Sequence, residues 1–191
     1  MSLSCDGCAL CCKLLAVEEI DKPACSWCPK IIQDKNGRGC GIYPERPDAC
    51  RSFECLWLLS QSRRGQEMQP ALRPDRSHVV FAMDVHVTGA DEVDPANRIL
   101  FAHVDPAFPS AWRSPLPRQA IRTFTDRGGT VIVIIGEKRV FLRKGRTPIY
   151  ADANGTEWAL TALRMVTRAG DPLAGLPTPT FDADELMRRR S

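Results

Sequence analysis

The chain has 191 residues, with 26 Lys and Arg against 23 Asp and Glu for a net charge of +3, and 43% of its residues are hydrophobic. That length allows one ordinary core, or a core with a small metal-stabilised appendage, while the near-neutral charge lacks the concentrated basic stripe that phosphate binding usually needs. No apolar run approaches the roughly 18 residues of a membrane span, and no basic segment followed by an apolar stretch opens the chain, so the expectation is a soluble cytoplasmic protein with no membrane partner.

All nine cysteines fall in the first 55 residues: Cys5, Cys8, Cys11, Cys12, Cys25, Cys28, Cys40, Cys50 and Cys55. A reducing compartment argues against a disulfide framework, and an odd count would leave one thiol over in any case. Thiolates this dense read as metal ligands, because zinc and iron-sulfur sites need several soft sulfur donors converging on one point. Charge is unevenly shared. Residues 1–60 carry seven Lys and Arg against eight Asp and Glu, and residues 61–191 carry nineteen against fifteen.

In chain order, Cys8, Cys11 and Cys12 stand at i, i+3 and i+4, the spacing of one helical face, and Lys13 to Ile20 continues with helix-compatible residues until Pro23. Asn36 to Gly39 reads as a turn, and Pro44 and Pro47 break regular structure. Ala49 to Ser60 then predicts a helix, with Phe53, Leu56, Trp57 and Leu59 apolar, that fastens the cysteine-rich part to the rest. Gln61 to Ser77, polar and holding Gly65, Pro70 and Pro74, reads as a linker.

Beyond it the period changes to two. Val79, Phe81, Met83 and Val85 alternate as a half-buried strand would, and Ile99 to Val104 is a second strand. Ser114 followed by Pro115 starts a helix that Gly128 and Gly129 close. Thr130 to Ile135 is apolar enough for a central strand, and Gly136-Glu-Lys joins it to Arg139-Val-Phe-Leu-Arg as a hairpin. A last helix is predicted from Thr156 to Gly170.

The sum is an α+β arrangement. It has a cysteine-cluster metal-binding module over 1–60, a linker over 61–77, a small α+β domain over 78–170 and a tail over 171–191 expected to be mobile. The sheet is expected to be small and mainly antiparallel, with about four strands and two helices; its strand order is left open.

The run Cys5-x-x-Cys8-x-x-Cys11-Cys12, then Cys28-Pro, then Cys40-Gly-Ile-Tyr-Pro-Glu-Arg-Pro-Asp-Ala-Cys50-Arg, resembles the bacterial cysteine-cluster proteins that carry a zinc- or iron-chelating CxxCxxCC domain. Members share eight cysteines. The resemblance covers residues 5 to about 55 and transfers metal ligation to Cys5, Cys8, Cys11, Cys12, Cys28, Cys40 and Cys50, with Cys55 as the eighth and Cys25 as the spare thiol. It implies chelation rather than a reaction. No glycine-rich strand-turn-helix signature for S-adenosylmethionine and no C-x3-C-x-x-C spacing of radical enzymes is present.

Eight thiolates can fill two closed tetrahedral zinc sites. They can equally hold a four-iron cluster with four thiolates left over, for which Cys5-x-x-Cys8-x-x-Cys11 has the ferredoxin spacing, although Cys12 departs from that pattern. Two zinc ions with eight thiolates sum to −4, so Arg46, Arg51 and Lys13 are the expected compensating cations. Tyr43 is expected to pack against the module and Arg46 to donate hydrogen bonds to sulfur or to backbone carbonyls.

Weaker signals lie downstream. His78, Asp84 and His86 fall at even spacings, and His103 and Asp105 lie two apart, which would suit a second metal or acid-base site or simply a polar sheet face. Lys138, Arg139, Arg143, Lys144 and Arg146 make the hairpin basic, as a solvated edge often is. The leading expectation is a non-catalytic metal-binding protein whose zinc, or iron, is structural or presents a surface to a protein partner. An iron-sulfur redox or transferase protein is the main alternative, and nucleic-acid binding through the basic hairpin is less favoured.

Overall fold

The computed structural model describes residues 7–34, 37–62, 67–83 and 98–152. The predicted helix from Thr156 to Gly170, together with Cys5, Asp84 and His86, lies outside them.

Five strands form the main sheet: β3 (Val79–Met83), β4 (Ile99–Val104), β5 (Thr130–Ile135), β6 (Lys138–Leu142) and β7 (Ile149–Ala151), in spatial order β3-β4-β5-β6-β7. A separate hairpin pairs β1 (Ile31–Asp34) with β2 (Gly37–Cys40). Within the main sheet only β4 and β5 run parallel. The chain returns between them through helix α5 (Pro115–Asp126), the long connection that parallel strands require. The class is therefore the α+β arrangement read from the sequence, with one strand more than expected.

Register divides the sheet cleanly. One face carries Val79, Phe81, Leu100, Ala102, Val104, Val131, Val133 and Val140, which form the main core with Ile121 of α5 and with Leu72. The other face carries Val80, Phe101, His103, Ile132, Ile134, Arg139 and Phe141. Here Ile132 and Phe141 are 1% and 2% exposed. Burial on both faces explains why β3 is almost wholly apolar and buried rather than half-buried, as its alternation had suggested. At the end of α5, Gly128 takes φ +90, and a Cβ on Gly129 would meet the Phe124 ring at 2.3 Å, so this closing glycine pair is required by both backbone and packing.

The cysteine-rich part clasps the edge strand β3 from both sides. Leu10 and Leu14 of helix α1 (Leu10–Leu14) bury against Val80 on one face, while Leu56 and Trp57 of helix α3 (Leu56–Gln61) pack into the main core on the other. Met68 and Leu72, from the stretch expected to be a linker, pack into the same core, and helix α4 (Pro74–Ser77) leads directly into β3. Across this contact Lys13 Nζ donates to both carboxylate oxygens of Asp105, at 2.7 and 2.8 Å.

Two helix readings are shorter than the sequence suggested. The first stops at Leu14, because Leu15 is extended and Val17 pairs with Lys22 around a 3-10 turn at Glu18–Ile20. The second splits into helix α2 (Asp48–Ser52) and α3, since Phe53 and Cys55 adopt extended backbone between them.

The Lys13–Asp105 pair is largely buried, so Asp105→Ala, which strands an ammonium without its carboxylate, should cost about 2–4 kcal/mol in a urea titration. Lys13→Met combined with Asp105→Leu should recover most of that loss. An unchanged urea midpoint in Asp105→Ala would show that the pair does not hold the two parts together.

Candidate metal centre

Short-range geometry gathers the thiols. Cys11 and Cys12 ride on α1, and the Cys28 amide donates to the Cys12 carbonyl at 3.1 Å, which brings the second cysteine segment against the first. The Lys30 amide then donates to Cys28 Sγ at 3.4 Å, an N–H···S contact that suits a thiolate acceptor. Across the β1–β2 hairpin Ile31 pairs with Cys40, and the Gly41 amide donates to the Lys30 carbonyl at 2.8 Å. A Cβ on Gly41 would press on Ile32 and the Lys30 carbonyl at 3.1 Å, so the residue after Cys40 has to be small. Cys50 arrives on α2, which is tied to the 3-10 turn by the Ala49 amide donating to Glu19 Oε1 at 3.3 Å.

The result is a cavity of about 890 Å³ walled by Cys8, Cys11, Cys12, Cys28, Cys40 and Cys50. Tyr43, Arg46 and Arg51 also reach it. Cys55 lies apart from this wall, at the position preceding α3, where it packs with Cys11 and Phe53 on the Leu10, Leu14 and Val80 cluster. Cys25 takes a left-handed backbone with φ +59, and its amide donates to the Leu14 carbonyl at 3.2 Å.

Electrostatics separate the thiols. A hydrogen bond from Cys11 lowers the Cys12 pKa to about 7 against the opposing effect of burial, and the Lys22 ammonium adds to the lowering. Burial pushes Cys50 up, and the neighbouring thiols Cys12, Cys28 and Cys40 raise it further. Burial likewise raises Cys8, which sits against the Leu10 and Asp75 amides, and Cys55, which faces the first amides of α3. Cys50 therefore keeps company with Cys12, Cys28 and Cys40, whereas Cys8 and Cys55 lie toward the sheet.

Of the expected compensating cations, Arg46 and Arg51 line the cavity, and each of the three has a partner of its own. Arg46 stacks on the Tyr43 ring at 4.1 Å, Arg51 forms an ion pair with Asp48, and Lys13 is held by Asp105. Lys22, which the sequence reading passed over, is the cation buried among the thiols.

In donor chemistry this set is of the kind a thiolate-bound metal needs: several thiols line one cavity, an amide is aimed at sulfur and a buried cation lies beside them. Among the described residues no three His, Cys, Asp or Glu side chains are grouped closely enough to share one ion. The downstream candidates do not converge either. His78 stacks on Phe108 with ring centroids 3.7 Å apart, Asp105 is engaged by Lys13, and His103 lies in the sheet beside Ile134 and Arg139. On the hairpin, Arg139 donates to the Gly136 and Lys138 carbonyls and Lys144 pairs with Asp126. No helix among the described residues is long and apolar enough to cross a membrane. Comparison of the chain with protein-family models, with curated proteins and with solved structures finds no match.

Burial, and secondarily the Arg139 charge, hold the His103 pKa at about 4. The folded protein thus keeps this imidazole neutral while the unfolded chain takes up a proton below about pH 6.5. Stability is unaffected by this group above pH 6.5 and falls as pH drops toward 4, by which point the loss amounts to about 3 kcal/mol. In urea titrations His103→Leu should show a shallower fall in stability across that window than the parent chain. Parallel pH curves would mean that His103 titrates normally.

Proposed function

We propose that this protein binds metal through thiolates of its cysteine module, as members of the CxxCxxCC family that it resembles are expected to do. The observation that carries the reading is the cavity walled by six cysteines from four separate segments of chain. Cys12, Cys28 and Cys40 act electrostatically on Cys50, so these four are one candidate ligand set; Cys5, Cys8, Cys11 and Cys55 are the remaining thiolates of the family pattern. A zinc ion bound by four thiolates is closed, redox-inert and structural, and its binding energy is also folding energy for the segment that supplies the ligands.

A structural role is supported by how few buried apolar residues the module has of its own. Of its buried apolar side chains, Leu10 and Leu14 belong to its contact with the sheet and Leu58 lines the cavity, so none of these makes an independent core. The module also exposes Trp27, Ile32 and Tyr43, apolar area of the kind that protein partners cover. The reading is thus of a metal-folded module that presents a surface to a partner. An iron-sulfur cluster is the second reading, supported by the ferredoxin-like spacing Cys5-x-x-Cys8-x-x-Cys11 and by the number of thiols around the cavity.

Metal and acid-labile sulfide analysis of freshly purified full chain tests both. Zinc near two per chain without sulfide fits the first reading, and iron with sulfide fits the second. Cys8→Ser and Cys50→Ser should each lose metal, because a missing ligand opens the site to water, while Cys25→Ser should keep it. Neither metal above trace level in the parent chain would refute both readings, and equal loss in all three variants would make Cys25 a ligand.

A further inference from the structure

Lys22 is the most buried charged side chain among the described residues, at 3% exposure. Its position is fixed by main-chain geometry. Val17 and Lys22 exchange both backbone hydrogen bonds, at 2.9 and 3.0 Å, and Asp21 adopts a left-handed backbone between them, with φ +49. This reversal returns the side chain to the end of α1, where its Nζ donates to the carbonyls of Lys13, at 3.0 Å, and of Leu15. Two of its three N–H donors are thereby engaged, and the third remains for the cavity that Lys22 helps to line.

Carbonyl oxygens satisfy hydrogen bonding but carry no net charge. A buried ammonium is unfavourable unless an anion compensates it, and among the described residues no carboxylate forms an ion pair with Lys22. The groups whose charges reach it are the sulfurs of Cys28, Cys12, Cys25 and Cys11. Burial lowers the Lys22 pKa and these sulfurs oppose that shift, so among the described residues they are the counter-charge beside the buried ammonium. Conversely, four thiolates on one zinc leave a charge of −2 that a low-dielectric site must offset.

We propose that Lys22 is the resident counter-ion of the cysteine site, a positioning residue whose fixed positive charge favours thiolate-bound metal beside Cys12 and Cys28. This rests on the metal-binding reading. Arg46 and Arg51 also line the cavity, stacked on Tyr43 and paired with Asp48, but Lys22 is the buried cation among those that line it. Its role depends on charge, since the two carbonyls could be satisfied equally by a neutral donor.

The experiment compares zinc release to EDTA from the full chain and from Lys22→Arg, Lys22→Gln and Lys22→Met, alongside hydrogen-exchange protection of β4 and β5. Arginine keeps the charge, glutamine keeps only donors, and methionine keeps neither. The expected result is release from Lys22→Arg close to the parent rate and release from both neutral variants about 10–100-fold faster, with β4 and β5 protected throughout. If one neutral variant loses that protection, the other decides. Release from Lys22→Gln at the parent rate, release from Lys22→Arg as fast as from Lys22→Gln, or loss of the fold in both neutral variants would make Lys22 a structural cap and overturn the proposal. A parent chain that binds no zinc or iron would instead refute the metal-binding reading, and this inference with it.

Discussion

One turn of helix has to satisfy three demands at once. In the five residues of α1, Leu10 and Leu14 are buried against the sheet, Cys11 and Cys12 face the cavity, and Lys13 reaches across to Asp105. The helical period makes this possible, because residues four apart share a face while those between them point elsewhere. Everything else in the cysteine module is referred to this turn: Cys28 and Cys25 hydrogen-bond to its carbonyls or to the next along, and Lys22 caps its end. An isolated helix of five residues has no stability of its own. Its geometry is therefore borrowed from the sheet, and the thiols are oriented by docking rather than by local propensity.

That dependence links the two parts of the chain. α1 and α3 grip opposite faces of β3, so the edge strand is held by the very segments that carry Cys11, Cys12 and Cys55. Burying two leucines is worth about 1.5–3 kcal/mol each. A metal held by the thiols would stabilise the same turn from the other side, so on the proposed reading metal binding and docking would be coupled through α1.

The parts of the fold legible in the sequence are those governed by local pattern. Ile99–Val104 and Thr130–Ile135 are continuous apolar runs with no competing reading, and Ser114-Pro115 with Gly128-Gly129 brackets α5 by capping chemistry alone. Strand β7 escaped because three residues after Pro148 carry too little pattern, and the parallel pairing of β4 with β5 is a tertiary fact with no local signature. The two overextended helices share one cause. Helix-compatible residues continue past Leu14 and Ser52, but Val17 gains a bridge with Lys22, and Phe53 gains burial against the α1 cluster, by leaving the helix. Tertiary contact outweighed propensity at both places.

At the site, cysteine spacing was enough to name the thiols that line the cavity, Cys8, Cys11, Cys12, Cys28, Cys40 and Cys50. The counter-charge was not legible. Arg46 and Arg51 lie next to the cysteines in sequence, yet each finds a partner within three residues, Tyr43 for one and Asp48 for the other. Lys22 stands three residues before Cys25, but its return to the end of α1 depends on the reversal at Glu18–Ile20, a tertiary feature with no local charge signature. The most direct test of thiolate metal binding is X-ray absorption at the zinc or iron edge of the purified full chain. The account predicts a first shell of sulfur alone, at about 2.3 Å for zinc. A shell of nitrogen or oxygen donors at about 2.0–2.2 Å would contradict it.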